Sequence, residues 1–459
     1  MTSLEELSRL VAASPGGLVL PGGDRRAQVD VATPLRLVDA ADLGAGRWVG
    51  VVEDRDGDRW TVPLLVTAGT LRRAMPGDGV AEALVRGIAD VRRMQAARGE
   101  ASTPEGRAVQ GDRAFDADGW HAEDVSGERA LTVDQTNESV VVGERAMVKW
   151  SVQLPRPGVR GAQPARRRLG RLIAADFAGT PRPWGLLHYV DHDDDSTSLL
   201  LASVAEFLPG AEDGWDWAVD DVRSHARGES SLEDAVVPSV RLGELTASLH
   251  LALAGDGRVS TADDRLTARW TARAYDDLDA AVQLVTGPEG VRLRSRAGRI
   301  AVSFAAFRAC VGTPLIDVHG DLHVGQVLRH GDPPRYAVTD FDGNPVLAPD
   351  ERSAPQPAAL DVAGMLASLD HVGRVAVKRT DGVDKDAVRT WIAAAQDAFL
   401  HAYRGSLAAS GSLELLDERL LVPLRLQQEC REYLYAARHL PHWVYVPDAA
   451  LTDLLPDEE

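Results

Sequence analysis

The spacing of apolar positions changes character along the chain. Residues 1 to about 20 carry helical spacing that ends at Ser14-Pro15-Gly16-Gly17, where proline and glycine stop a helix. From Val29 to Val66 the pattern turns β-like. Arg47-Trp48-Val49-Gly50-Val51-Val52-Glu53 and Arg59-Trp60-Thr61-Val62-Pro63-Leu64-Leu65-Val66 flank the turn-rich Asp54-Arg55-Asp56-Gly57-Asp58, which predicts a hairpin. Helical spacing returns over roughly 79–97, and 98–118 has no periodicity and reads as a linker. Strand patterns resume at about 120–150, where Ser139-Val140-Val141-Val142 and Ala146-Met147-Val148-Lys149-Trp150 flank the turn Gly143-Glu144-Arg145. A helix is predicted over 164–176 and a buried strand from Leu199 to Leu208. Beyond about residue 215 the spacing is helical to the end, except over 314–347, where short β-like runs bracket polar sequence. A β-rich part followed by a helix-rich part predicts an α+β fold with at least two lobes.

Composition narrows the function classes. The 459 residues carry 50 basic and 69 acidic side chains, a formal charge of −19. That surface repels nucleic acid and anionic membrane, so neither is expected as a partner. Cys310 and Cys430 are far apart and lack metal-type spacing, which excludes a cysteine zinc site and fits a reducing cytosol. No apolar run approaches membrane-spanning length, and the acidic, amphipathic start is unlike a signal peptide, so a cytoplasmic location is expected. Lysine occurs only at Lys149, Lys378 and Lys385, so arginine supplies nearly all the positive charge. A lysine kept in such a chain asks for a reason.

The densest polar constellation is Asp317-Val318-His319-Gly320-Asp321-Leu322-His323-Val324-Gly325-Gln326, followed by Val338-Thr339-Asp340-Phe341-Asp342-Gly343. An aspartate, an amide five residues on and a second aspartate after an apolar run form a phosphoryl-transfer arrangement. The first carboxylate takes the proton of an attacking hydroxyl, and the amide and second aspartate offer hard oxygens to Mg²⁺. His319 and His323 could be read as a zinc pair. They flank Gly320 and Asp321 in a loop, however, and no H-E-x-x-H pattern exists.

His-Gly-Asp-Leu-His-x-Gly-Gln followed by Asp-Phe-Asp resembles the aminoglycoside phosphotransferase and maltokinase group, relatives of eukaryotic protein kinases. The resemblance covers the chain from about residue 120, and the earlier part is similar to the N-terminal cap of maltokinases. It implies a bilobal kinase-like fold: a cap over 1–110, a nucleotide-binding lobe over 111–210 and a helical lobe over 211–459. It also implies Asp321 as catalytic base and Gln326 and Asp340 as Mg²⁺ ligands, with Asp342 assisting.

On the nucleotide side, Asp134-Gln135-Thr136-Asn137-Glu138-Ser139 resembles the maltokinase phosphate loop, with Asn137 and Ser139 as the cofactor-binding residues. Read alone, the run also has a plainer reading as a polar turn. No Walker motif is present. Lys149 stands where kinases place the lysine that reaches the ATP phosphates. Its usual glutamate partner is not found, because Gln163 to Ala175 contains no acidic residue. Ala205-Glu206-Phe207-Leu208 resembles the hinge whose backbone binds adenine, which points to Glu206 and Leu208.

At the C-terminal end, Gln428, Glu432, Tyr435 and His439 share one helical face, and Pro441 stops the helix ahead of Trp443. Amide, carboxylate and aromatic side chains suit a sugar. A capping helix with an Arg425–Glu429 ion pair is the plainer alternative. Maltokinases have a related helix, matched here by Glu432, Tyr435, Arg438, Pro441 and Trp443. The longer run from Gln427 to Leu451 resembles the actinobacterial glucosamine kinase branch. A protonated amino sugar prefers carboxylates, and Asp317, Glu429 and Glu432 could supply them. Asp317, His319, Gln428, Glu429, Glu432, Tyr435, Arg438 and Trp443 therefore form the expected acceptor set. The implied activity is ATP- and Mg²⁺-dependent phosphorylation of glucosamine, at O6. Maltose 1-phosphate formation, aminoglycoside phosphorylation and a kinase-like binding protein without turnover stay open. Oligomeric state is not legible.

Overall fold

The computed structural model describes residues 2–14, 18, 20–21, 28–29, 35–89, 108–113, 125–131, 138–156, 163–190, 198–255, 259–345, 347 and 349–456. Asn137 and the rest of 132–137 lie outside the described residues. The chain forms two compact units, one of Met1–Ile173, Pro181–Pro209 and Pro345–Ser353, the other of Ala174–Thr180, Gly210–Asn344 and Ala354–Glu459.

Among the described residues the first unit holds two large antiparallel sheets beside the short pair Leu20–Pro21 with Gln28–Val29. In one, the hairpin Arg47–Glu53 and Arg59–Thr67 pairs with Arg47 opposite Leu65 and Glu53 opposite Arg59. Arg36–Gly44 flanks it on one side and Gln153–Leu154 on the other. Trp48, Val49, Val51 and Val52 are all buried, so both faces of that strand are covered and it reads as a continuous apolar run. Helices Leu4–Ala12 and Val80–Ala89 bury Leu7, Leu84 and Val85 in the same core.

The other sheet runs Ala108–Arg113, Pro183–Val190, Ser198–Glu206, Ala146–Trp150, Glu138–Val142, Glu128–Ala130. Ala108–Arg113 falls inside the stretch read as linker. It has no apolar alternation and joins through its backbone ladder to Pro183–Val190, a pairing that periodicity does not reveal. The turn Gly143-Glu144 has φ values of 58° and 52°. Two successive left-handed residues match the twist of the flanking strands. The register sets Lys149 opposite Ser139 on one side and Ser203 on the other.

The second unit is helical around Ala359–Arg379, which is buried on nearly every side and touches helices Gly214–Ala226, Lys385–Ala409, Leu421–His439 and Tyr445–Leu454. A helix buried on nearly every side belongs in a core, and its few polar side chains must find partners there. Lys385–Ala409 lies along Leu232–Ala254 so closely that a Cβ on Gly243 would sit 2.3 Å from the Phe399 carbonyl oxygen. One two-stranded ribbon, Val327–His330 with Arg335–Val338, carries the polar sequence between the helices.

Candidate active site

The polar loop enters from Ile316, which exchanges two backbone hydrogen bonds with Gln356 just ahead of the central helix. That helix then supplies the loop's anchors. The carboxylate of Asp361 accepts the backbone N–H of His319 at 2.7 Å and of Gly320 at 2.8 Å. Ser368 Oγ accepts the N–H of Val324 at 3.0 Å. Behind Asp361 stands His250, its Nε2 at 3.1 Å from the carboxylate and its Nδ1 at 2.7 Å from the Tyr403 hydroxyl. Burial works against charge on Asp361, but His250, His319 and the Gly320 amide outweigh it and hold the carboxyl below its ordinary range.

Gly320 has φ 81°, which turns the chain so that Asp321 leaves the anchored backbone. His319 closes the loop: its Nε2 meets the Thr339 carbonyl at 2.8 Å, and its Nδ1 accepts the Asp321 N–H at 3.3 Å. Thr339 N–H in turn donates to the Gln326 carbonyl at 2.8 Å. The ribbon therefore ends with Gln326 and Thr339 paired, and Asp340 follows directly. Asp340 takes φ 61°, a conformation that aspartate tolerates better than most residues.

Burial pushes the Asp321 carboxyl up to about 7, reinforced by the negative charges of Asp340, Asp361 and Glu432 and opposed by Arg431. A carboxylate poised there suits a general base near neutrality. The surrounding protein and the neighbouring His319 hold His323 down at about 4, so it is a neutral imidazole, and its Nδ1 accepts the Gly325 N–H.

Helix Leu421–His439 carries most of the residues expected on the acceptor side. Gln428 Nε2 donates to Glu432 at 3.0 Å, and Trp443 Nε1 donates to the other Glu432 oxygen at 3.2 Å. Trp215 meets Trp443 edge to face with ring centroids 6.1 Å apart and lies 6.1 Å from the His323 ring. A Cβ on Gly325 would fall 2.5 Å from Trp215 Nε1, so the glycine admits this indole against the loop. Gln428, Glu432 and Trp443 are thus brought together. Tyr435 and Arg438 are exposed, with the Tyr435 ring packed on His439.

Three expected acceptor residues are turned inward. Glu429 is 1 % exposed, with both carboxylate oxygens 3.1 Å from His371 Nε2 rather than paired with Arg425. One residue is about 100° of helix rotation, enough to carry it off the Gln428–Glu432 face. Asp317 and His319 are also buried, His319 as the brace of the loop. Sequence reasoning missed Asp361, His250 and His371, and the run Gly214-Trp215-Asp216-Trp217, which resembles maltokinases, suggested no role for Trp215. An acid set alone in the apolar run Ala359-Leu360-Asp361-Val362-Ala363 was the available signal for Asp361.

In the first unit, Ser139 is buried beside Lys149 across the strands. At the strand end, Glu206 N–H donates to Arg182 and Phe207 N–H to Arg145, so Leu208 is the next amide along the segment.

A six-stranded antiparallel sheet carrying Lys149, and a helical unit carrying an anchored Asp321–Gln326–Asp340 loop, define a kinase-like phosphotransferase. No family model matches the chain. It is 56% identical over 452 residues to the glucosamine kinase of Streptacidiphilus jiangxiensis, covering 98% of each chain. It is 41% identical over 419 residues to that of Mycolicibacterium smegmatis, covering 91% of this chain and 98% of the other. A solved glucosamine kinase in complex with glucosamine, ADP and inorganic phosphate superposes with a TM-score of 0.84 at 52% identity, covering 99% of this chain and all of that one. The chain belongs to the glucosamine kinase family, as its loop and C-terminal run led one to expect.

Proposed function

We propose that this chain transfers the γ-phosphate of ATP to glucosamine, at O6. The observation that carries the sugar assignment is Glu432, an ionisable carboxylate fixed by Gln428 and Trp443 and felt electrostatically by Asp321. A carboxylate at that position recognises the ammonium of an amino sugar by a charge-assisted hydrogen bond, while Trp443 offers a ring to the sugar's C–H face. The relative solved with glucosamine and ADP supports the same pair of ligands here.

In this reading Asp321 accepts the proton of the sugar hydroxyl as it attacks phosphorus. Its raised pKa favours proton uptake without leaving it fully protonated at neutral pH. Lys149, Ser139 and Asn137 contact the phosphates, and the hinge backbone at Glu206 and Leu208 takes adenine. Gln326 and Asp340, an amide and a carboxylate at one ribbon end, are hard oxygen donors that fit magnesium. When bound, the ion neutralises charge on the transferring phosphates. Among the described residues no helix is long and apolar enough to cross a membrane, and ATP as donor fits a cytoplasmic enzyme.

The test is a coupled ADP-release assay with ATP and Mg²⁺ over glucosamine, glucose, maltose, N-acetylglucosamine and kanamycin, followed by phosphorus NMR of the product. Turnover confined to glucosamine with phosphate on O6 is expected. Preferred turnover of maltose or kanamycin would overturn the assignment, as would ADP release without sugar phosphate.

A further inference from the structure

We infer that the buried His371–Glu429 pair is a positioning device for the acceptor, holding Glu432 in place relative to Asp321 without touching the sugar. The inference rests on the reading of Glu432 as the group that binds the amino sugar.

Glu429 and His371 are 1 % and 4 % exposed and meet through one ring nitrogen and both carboxylate oxygens. Burying two ions costs several kcal/mol each before their attraction is counted, so an apolar pair would hold two helices together at least as well. What an apolar pair lacks is direction. A two-oxygen contact to a single nitrogen fixes both the rotation and the slide of helix Leu421–His439 against Ala359–Arg379.

The partner helix is the one that fixes the catalytic loop. Asp361 and Ser368 hold the loop backbone, and His371 lies one turn beyond Ser368, about 4.5 Å along the axis. Loop and acceptor helix are thereby referred to a single rigid element. On the opposite flank Asp277 accepts Gln427 Nε2 at 2.8 Å and Arg431 Nε at 2.9 Å. Gln427, Glu429 and Arg431 grip their neighbours, and Gln428 and Glu432 are left for the acceptor.

Leverage sets the size of the effect. A carboxylate roughly 6 Å from a helix axis moves about 1 Å when the helix turns about 10°. A displacement of that order weakens a productive contact severely. The charges themselves also matter: burial opposes ionisation of His371, yet Glu429 overcomes it and raises the imidazole to about 9, while burial raises Glu429. The two-oxygen geometry favours the ion pair, whose charges cancel and leave Glu432 as the uncancelled carboxylate beside the acceptor.

Steady-state kinetics with varied glucosamine and ATP test the inference, with folding monitored by circular dichroism. His371→Ala is expected to raise the glucosamine KM at least fivefold, with kcat and the ATP KM within twofold of wild type. His371→Gln keeps a donor for Glu429 and should recover most of that loss. If His371→Ala does not fold, Glu429→Gln, which keeps shape and a hydrogen bond, should still raise the glucosamine KM about threefold. An unchanged glucosamine KM in the folded variants overturns the inference, as does a fall in kcat alone. A wild-type enzyme that does not use glucosamine overturns the functional reading and this inference with it, whereas a wild-type enzyme that does, with variants unaltered, overturns only the inference.

Discussion

The loop proposed to carry catalysis and the helix proposed to meet the acceptor are held in opposite ways. The loop from Asp317 to Gln326 is gripped by its backbone: Asp361 and Ser368 take its amides, so Asp321 and Gln326 need not serve as struts. Helix Leu421–His439 is held by its own side chains, with Gln427 and Arg431 on Asp277 and Glu429 on His371. A region anchored by backbone can devote its side chains to chemistry. A helix, whose backbone groups are already paired, must divide its side chains between holding and binding. Substitutions in the two regions should therefore fail differently.

The largest expected effect is Asp321→Asn. Turnover should fall by about 10³, within the range for loss of a general base, with nucleotide binding retained in a calorimetric titration. The fold should gain. The folded-state pKa of about 7 lies above the ordinary 3.8, so the folded protein holds this proton more tightly and stability declines as pH rises across that interval. Metal-free Asp321→Asn should accordingly melt above wild type at pH 8 and close to it near pH 4. Equal melting at both would remove the buried-carboxylate account of the loop.

Asp361→Asn attacks the anchor instead of the chemistry. It breaks the contact to His250 and weakens the grip on two loop amides, so denaturant unfolding should show a loss of about 3 kcal/mol, and kcat should drop at least tenfold. Wild-type stability in this variant would mean that the loop holds itself.

A smaller effect distinguishes the acceptor helix. His371 is held at about 9 against an ordinary 6.5, so the stability it contributes is full below 6.5 and is lost as pH rises through 9. Glu432 and Asp370 also face it and act in the same direction. Melting temperature followed from pH 6 to pH 10 should decline in wild type and flatten in Glu429→Gln. Parallel curves would leave the pair without an energetic role.

The same contrast explains what the sequence could disclose. Asp321, Gln326 and Asp340 stand out in the sequence because phosphoryl transfer constrains residue type and spacing within one short stretch, and the structure brings them to one loop and ribbon end. Gln428 and Glu432 were legible because helical periodicity puts them on one face. Glu429 joins the expected acceptor set on charge alone, although its position next to Gln428 turns it inward to a histidine 58 residues away in sequence. Asp361 and His250 act through contacts between elements far apart in the chain, which no local pattern encodes. The strand Ala108–Arg113 escaped for a related reason, since its backbone pairing leaves no mark on its side chains.

Parallel kinetics of Glu432→Gln and Glu429→Gln on glucosamine and glucose test the division of the helix most directly. Glu432→Gln should lower kcat/KM for glucosamine about tenfold to a hundredfold and abolish its preference over glucose, as loss of a charge-paired contact implies. Glu429→Gln should raise the glucosamine KM about threefold, with a smaller effect on glucose, and keep most of the preference. If Glu429→Gln abolishes the preference as fully as Glu432→Gln, then Glu429 itself meets the amino group and the separation of holding from binding is wrong.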